Sequence, residues 1–207
     1  MSRDNVALQP PRQPLDEFPA TTLTSDRLLV RGHRSTLGPW WFASSGGGRF
    51  DLSSPRGACY VALDIATAIR ECCGGALATA GVIDRGFANE RQISMLTVPH
   101  EHRLADTVTD DAANFGMTRE LATVTPYTIP QRWAAAFDDT GFAGLQYQSR
   151  FTTGAAPNAV ALFSKAGEAD WPIDPEPEPF IVAARRLGFT VTSPPRTVRV
   201  VSPPTAS

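Results

Sequence analysis

Cysteine is scarce in this chain, and the three present, Cys59, Cys72 and Cys73, cannot make a disulfide framework because an odd count leaves a thiol over. Reduced thiols are expected. Their spacing does not suit a metal either: Cys72 and Cys73 are consecutive, so on a helix their side chains diverge by about 100°, which is awkward for one tetrahedral site. His100 and His102 are the remaining local cluster of ligand types, and no metal site is expected. Basic charge is not in excess. Lys and Arg number 19 against 21 Asp and Glu, a net charge of −2, and this balance lacks the electrostatic footprint of a nucleic-acid binder. No apolar run approaches the roughly 18 residues of a membrane span, and the opening residues lack the apolar core of a signal peptide. A cytoplasmic protein with no membrane partner is the expectation. The glycines Gly46 to Gly48 lead into Arg49 and Phe50 rather than into Gly-Lys-Ser/Thr, so a triphosphate-binding P-loop is excluded. No internal repeat is visible.

What is present is a globular composition. Hydrophobic residues make up 42% and charged residues 19% of 207, enough chain for one well-packed domain. Residues 1–22 carry Pro10, Pro11, Pro14 and Pro19 and read as an extended or disordered arm. Residues 23–201 form the expected domain, and residues 202–207 a frayed tail.

Within the domain, Leu28 to Val30 reads as a short strand ending in Arg31-Gly32-His33-Arg34, and Trp40, Trp41 and Phe42 follow. Strands are expected at Gln92 to Val98, Leu104 to Val108, Gly144 to Gln148, Ala159 to Ser164, Phe189 to Thr192 and Thr197 to Val201. Short helical segments are expected at Asp110 to Phe115 and Thr118 to Ala122. Firmer helices run from about Pro130 to Asp139, with Gly141 closing the turn, and from Phe180 to Leu187. The Pro-Glu run from Pro172 to Pro179 reads as a linker.

The densest chemistry lies between Gly46 and Glu71, in GGGRFDLSSPRGACYVALDIATAIRE. Ala58 to Leu63 is an apolar run with Tyr60 and Ala62 on one side and Cys59, Val61 and Leu63 on the other. Asp64 stands where an N-cap belongs, and Ile65, Ala68, Ile69 and Cys72 then recur at helical spacing. Glu71 projects about 60° from Ala68, at the border of that apolar stripe. Tyr60 on the strand and Glu71 on the helix can therefore share a crevice. Taken singly, each residue also has an ordinary reading: Arg49 as a solvent-facing loop cation, Tyr60 as a core ring with a satisfied hydroxyl, Glu71 as a surface acid, Ser149 as a strand-end cap.

Four fragments in order, LLVRGH around Arg31, GPWWF with GGGRFD at Arg49, ACYVALDIATAIRE with Tyr60 and Glu71, and GLQYQSR at Ser149, resemble the RES domain family. That family is named for an arginine, a glutamate and a serine in this chain order. Val30 stands where its members often carry an aromatic residue. The resemblance implies a single α/β (α+β) domain, a mixed central sheet with flanking helices similar to ADP-ribosyltransferase toxins. It also implies cleavage of NAD at the nicotinamide bond by hydrolysis or phosphorolysis, with NAD as substrate and no further cofactor, and an antitoxin protein that covers the pocket.

The residue types suit that chemistry. Nicotinamide leaves as a neutral molecule, so the task is to steady an oxocarbenium-like ribose and hold a pyrophosphate. Glu71 would oppose the developing positive charge, Arg31 and Arg49 would pair with phosphate oxygens, Tyr60 would flank the nicotinamide ring, and Ser149 would bond the ribose or a phosphate. Transfer of ADP-ribose to a protein, and a non-catalytic module binding a nucleotide or a protein, are the alternatives.

Overall fold

The computed structural model describes residues 7–154 and 156–193. In chain order the strands and helices begin with β1 (Ala20–Leu23), β2 (Leu29–Arg34), β3 (Trp41–Phe42), β4 (Arg56–Ala62), α1 (Ile65–Cys73) and α2 (Gly75–Ala80). Then come β5 (Ile83–Asp84), α3 (Arg85–Asn89), β6 (Arg91–Leu96) and β7 (His102–Asp106), two 3-10 helices at Asp110–Phe115 and Arg119–Ala122, and α4 (Thr128–Asp139). The chain closes with β8 (Gly144–Tyr147), β9 (Ala159–Lys165), β10 (Gly167–Glu168), β11 (Glu178–Pro179), α5 (Phe180–Arg186) and β12 (Val191–Thr192).

Eight strands form one mixed sheet in the order β1-β7-β8-β9-β4-β2-β6-β11. The pair β7–β8 is parallel and the others are antiparallel. Helices flank it, so the α/β fold with a mixed central sheet is what forms. The seam between β4 and β2 is unlike its neighbours. β4 pairs with β9 from Arg56 opposite Lys165 to Ala62 opposite Ala159, and β2 pairs with β6 from Leu29 to Arg34. Yet β2 and β4 meet at one position, Val30 opposite Ala62. Beyond that point the strands diverge and the sheet opens as a wedge.

Three apolar cores hold the wedge in shape. On one face, α4 and the 3-10 helices bury Trp133, Phe137, Leu121 and Met117 with Phe50, Tyr147 and Ala161. On a second, Trp40, Phe42, Cys59, Val61 and Leu162 pack together, with Trp171 edge-on to Trp40 and Phe42. The third joins α1, α3 and α5 to the other half of the sheet through Ile69, Ala88, Phe180, Val30 and Ile93. Two of the three reach across the seam, Leu29 packing in one core with Cys59 and Val61 and Val30 in another with Ala62, so closing the wedge would require moving packed side chains.

α1 starts where its sequence requires. Asp64 accepts hydrogen bonds from the backbone N–H and the hydroxyl of Thr67, both at 2.7 Å, and the helix ends at Gly74, whose φ of 57° favours a residue without Cβ. Several boundaries differ from expectation. β2 continues through Arg31 to Arg34, because β6 supplies partners along its whole length. The helix expected from Pro130 begins at Thr128, with Pro130 in the first turn, where a missing N–H costs nothing. The Pro-Glu run contributes β11, whose Glu178 and Pro179 sit at the sheet edge opposite Ile93 and Gln92.

The proline-rich opening, expected as an extended or disordered arm over residues 1–22, is extended and packed on the body from residue 7 onward. Leu8, Leu15 and Phe18 are buried in the first core, Trp133 donates its indole N–H to the carbonyl of Gln9 at 2.8 Å, and β1 extends the sheet antiparallel to β7. The apolar side chains between the prolines explain this: a chain held extended by proline lays them along a groove at small entropic cost. The boundary drawn at residue 23 thus falls inside a strand. The expected strand at Thr197 to Val201 and the tail at 202–207 lie outside the described residues.

Candidate functional site

The wedge between β2 and β4 contains a cavity of about 420 Å³. Its walls come from Arg31 and Gly32 on β2, Tyr60 and Ala62 on β4, Ala68, Glu71 and Cys72 on α1, the glycine loop with Arg49, and Tyr127, Tyr147 and Arg150. The helix border that placed Glu71 beside Tyr60 on paper is thus the cavity wall in space.

Glu71 is half-buried. Burial raises its carboxyl above the ordinary glutamate range. A hydrogen bond from Ser149 and the charges of Arg49 and Arg150 act in the opposite direction without cancelling that rise. Ser149, itself only 1% exposed, is fixed by the turn after β8. Its Oγ accepts from the Phe151 N–H at 3.1 Å, its own N–H donates to Asn158 Oδ1 at 2.8 Å, and Thr152 bonds its carbonyl. With Oγ accepting from Phe151, the hydroxyl hydrogen is free to donate. Residues far apart in sequence are brought side by side because β8 and β4 both pair with β9.

Arg49 is buried to 8% exposure, so it is not a solvent-facing loop cation. One nitrogen, Nη1, donates to the carbonyl of Val124 at 2.6 Å and more weakly to that of Leu121, and its guanidinium carbon lies 4.5 Å from the centroid of the Tyr127 ring. The other, Nη2, is buried with no hydrogen-bond partner among the described residues. Desolvation lowers the pKa of this arginine. A guanidinium stays charged under such conditions, so the site holds a cation with an unsatisfied donor.

The loop that presents Arg49 is rigid. Tyr60 donates its hydroxyl hydrogen to Asp51 Oδ1 at 2.9 Å and accepts from the Phe50 N–H at 2.8 Å. Asp51 also accepts from the Gly48 N–H at 2.9 Å and from Ser45. Gln131 of α4 donates to the carbonyls of Gly46 and Gly48, each at 2.9 Å. Gly48 has to be glycine: a Cβ there would fall inside contact distance of Asp51 Oδ1 and the Tyr60 hydroxyl. The Tyr60 ring forms part of the cavity wall while its hydroxyl is committed to the loop, and burial and Asp51 push that hydroxyl's pKa far up.

Arg31 differs from the others. It lines the cavity, but its guanidinium is turned to the carbonyls of Pro39 and Trp41 and to the thiol of Cys59. In this structure it holds the Pro39–Trp41 rim through Nη1 and Nη2. Cys59, Cys72 and Cys73 are free thiols, and burial pushes the Cys73 thiol up to about 12. Among the described residues no group of three or more His, Cys, Asp or Glu is placed to hold a metal ion.

Sequence reasoning missed Arg150, Tyr127 and Tyr147. The first and last were within reach: Arg150 follows Ser149 directly, and Tyr147 shares its strand face at a spacing of two. Tyr127 lies in an irregular connection, and no periodicity marks it.

The cavity in the split sheet is thus lined by a half-buried acid, Glu71, and a buried guanidinium, Arg49, with Arg150 beside them and Ser149 in the adjoining turn. The RES domain family model matches residues 26–182, and the chain belongs to that family. It is also similar in fold to a chain of the crystal structure of the M. tuberculosis MbcT-MbcA toxin-antitoxin complex, with a TM-score of 0.59 and 13% identity, covering 79% of this chain and 90% of that one. No curated protein matches the sequence.

Proposed function

We propose that this protein cleaves NAD at the bond between nicotinamide and ribose, passing the ADP-ribosyl group to water or phosphate, and that it acts as the toxin of a toxin–antitoxin pair. The observation that carries this reading is one cavity lined by Glu71, Arg49 and Arg150, with Ser149 acting on the Glu71 carboxylate and Nη2 of Arg49 left without a partner among the described residues. The C1′–N bond breaks with its electron pair going to nicotinamide, which leaves neutral. No general acid is required. The ribose gains positive charge, and an ionised Glu71 beside it stabilises that charge in a partly dehydrated site, where a fixed anion acts strongly. Ser149 orients the carboxylate and keeps it ionised. Arg49 supplies its unpartnered donor to a pyrophosphate oxygen, and Arg150, exposed at the mouth, adds a second cation. Arg31 supports the rim. Tyr60 stiffens the Arg49 loop and offers its ring as a wall for nicotinamide. NAD is the substrate in this scheme and no cofactor is needed.

Membership of the RES family and the shared fold with the MbcT-MbcA complex support the toxin role. An enzyme that drains a cytoplasmic coenzyme pool harms its own cell, which favours a protein partner that covers the cavity. The test is incubation of the purified chain with NAD, with and without phosphate, and chromatographic identification of the products. Nicotinamide with ADP-ribose marks hydrolysis, and nicotinamide with a phosphorylated ADP-ribose marks phosphorolysis. Intact NAD at high enzyme concentration in both buffers would overturn the proposal.

A further inference from the structure

A second cavity of about 430 Å³ adjoins the first. Ala122, Tyr147 and Arg150 line both, so the two spaces lie on either side of one boundary. The second is walled by the end of β7, the two 3-10 helices and the turn after β8. Buried Met117 and Leu121, with Val108, give it an apolar side, while Thr109, Asp110 and Gln148 bring a hydroxyl, a carboxylate and an amide.

We propose that this cavity binds the adenosine half of the dinucleotide, an inference that rests on the NAD-cleaving reading above. A dinucleotide has two nucleoside halves joined by a pyrophosphate. With the scissile ribose at Glu71, the pyrophosphate falls at the boundary, where Arg49 faces the first cavity and Arg150 lines both. The other nucleoside then continues into the second cavity. Its chemistry fits: a flat base with apolar faces and a polar edge against Met117, Leu121 and Gln148, and a ribose diol that donates to a carboxylate such as Asp110. Binding energy gathered there, remote from the reacting bond, would hold the scissile half in place.

The test uses the full chain and three probes, NAD, nicotinamide mononucleotide and AMP. The wild-type chain is expected to cleave NAD with a kcat/KM at least roughly tenfold above that for the mononucleotide, and AMP to compete with NAD. Ala113, exposed on the first 3-10 helix, also lines the cavity. Ala113→Trp fills the space from a position that tolerates bulk, and is expected to raise KM for NAD roughly tenfold, to lower the preference for NAD over the mononucleotide, and to abolish AMP competition. Gln148→Ala, which leaves the walls in place, should raise KM in the same direction and serves if Ala113→Trp misfolds. Equal kcat/KM for NAD and the mononucleotide, or an unchanged KM for NAD in the folded variants, overturns the inference while leaving NAD cleavage standing. Should the wild-type chain release no nicotinamide from either substrate, the functional reading has failed and calorimetry decides the cavity: AMP binding that Ala113→Trp loses supports an adenosine site, and no AMP binding overturns it.

Discussion

The hydroxyl of Tyr60 donates to Asp51 at 2.9 Å, and with the Phe50 N–H bonded to the same oxygen it ties β4 to the loop that carries Arg49. A residue expected beside the substrate ring is therefore also the support of its neighbouring cation. Removing the hydroxyl leaves a buried Phe50 N–H without a partner and Asp51 with fewer donors. Tyr60→Phe is expected to lose about 1–3 kcal/mol of stability, the range for a buried polar group left unsatisfied, and to lower kcat/KM for NAD because Arg49 is less firmly held. Urea unfolding and steady-state kinetics measure both. Unchanged stability would show that water replaces the hydroxyl and that the tie is unimportant.

Gly48 tests the same loop from the other side. A methyl group there collides with Asp51 and the Tyr60 hydroxyl, and relief requires the loop to shift. Gly48→Ala is expected to remain folded, since the atoms it meets are the ends of two side chains rather than backbone, and to lose at least roughly tenfold in kcat/KM through a displaced Arg49. Full activity would mean that the position of Arg49 does not matter.

The proposed role of Glu71 predicts a pH dependence. Burial raises its pKa, and the bond from Ser149 is the largest influence holding it down. The proposed chemistry uses the charged form, so the acid limb of kcat/KM is expected at a pH above the ordinary glutamate range, and Ser149→Ala should move it further up. An acid limb that does not move in Ser149→Ala would separate Ser149 from Glu71.

How much of this was legible beforehand depends on distance along the chain. The strand–turn–helix unit from Ala58 to Cys73 was readable because its cap, its alternation and its helical stripe are local, and the border position of Glu71 followed from them. The family resemblance supplied Ser149, which no local pattern links to Glu71; the link runs through β9, which pairs with both strands. The bonding of Arg31 to the Pro39–Trp41 rim and the burial of Arg49 against Val124 were not readable, because they depend on how irregular segments cross the seam. The strap from Leu8 to Phe18 was legible as an extended segment from its prolines, but the groove its apolar residues fill is made by α4 and the first 3-10 helix, distant in sequence.

Glu71 should also burden the fold that holds it. Its pKa is raised in the folded chain, so between the ordinary glutamate value of about 4.3 and the raised one the folded state binds more protons than the unfolded state. Stability is fully present below that window and falls as pH rises through it. Glu71→Gln cannot ionise, and is expected to melt at a higher temperature than the wild-type chain at neutral pH, with the gap vanishing below about pH 4. Melting curves across that range check the sign. A lower melting temperature for the variant at neutral pH would mean that the carboxylate is a structural group.

The most direct test of the account is nicotinamide release from NAD by Glu71→Gln, compared with the wild-type chain under identical conditions. The substitution keeps shape and most hydrogen bonding and removes the charge that opposes the developing oxocarbenium ion. A fall in kcat of about 10² to 10³, equivalent to about 2.7–4 kcal/mol in the barrier, is the expected result. Turnover near that of the wild type by a well-folded Glu71→Gln protein would remove Glu71 from the chemistry and contradict the account.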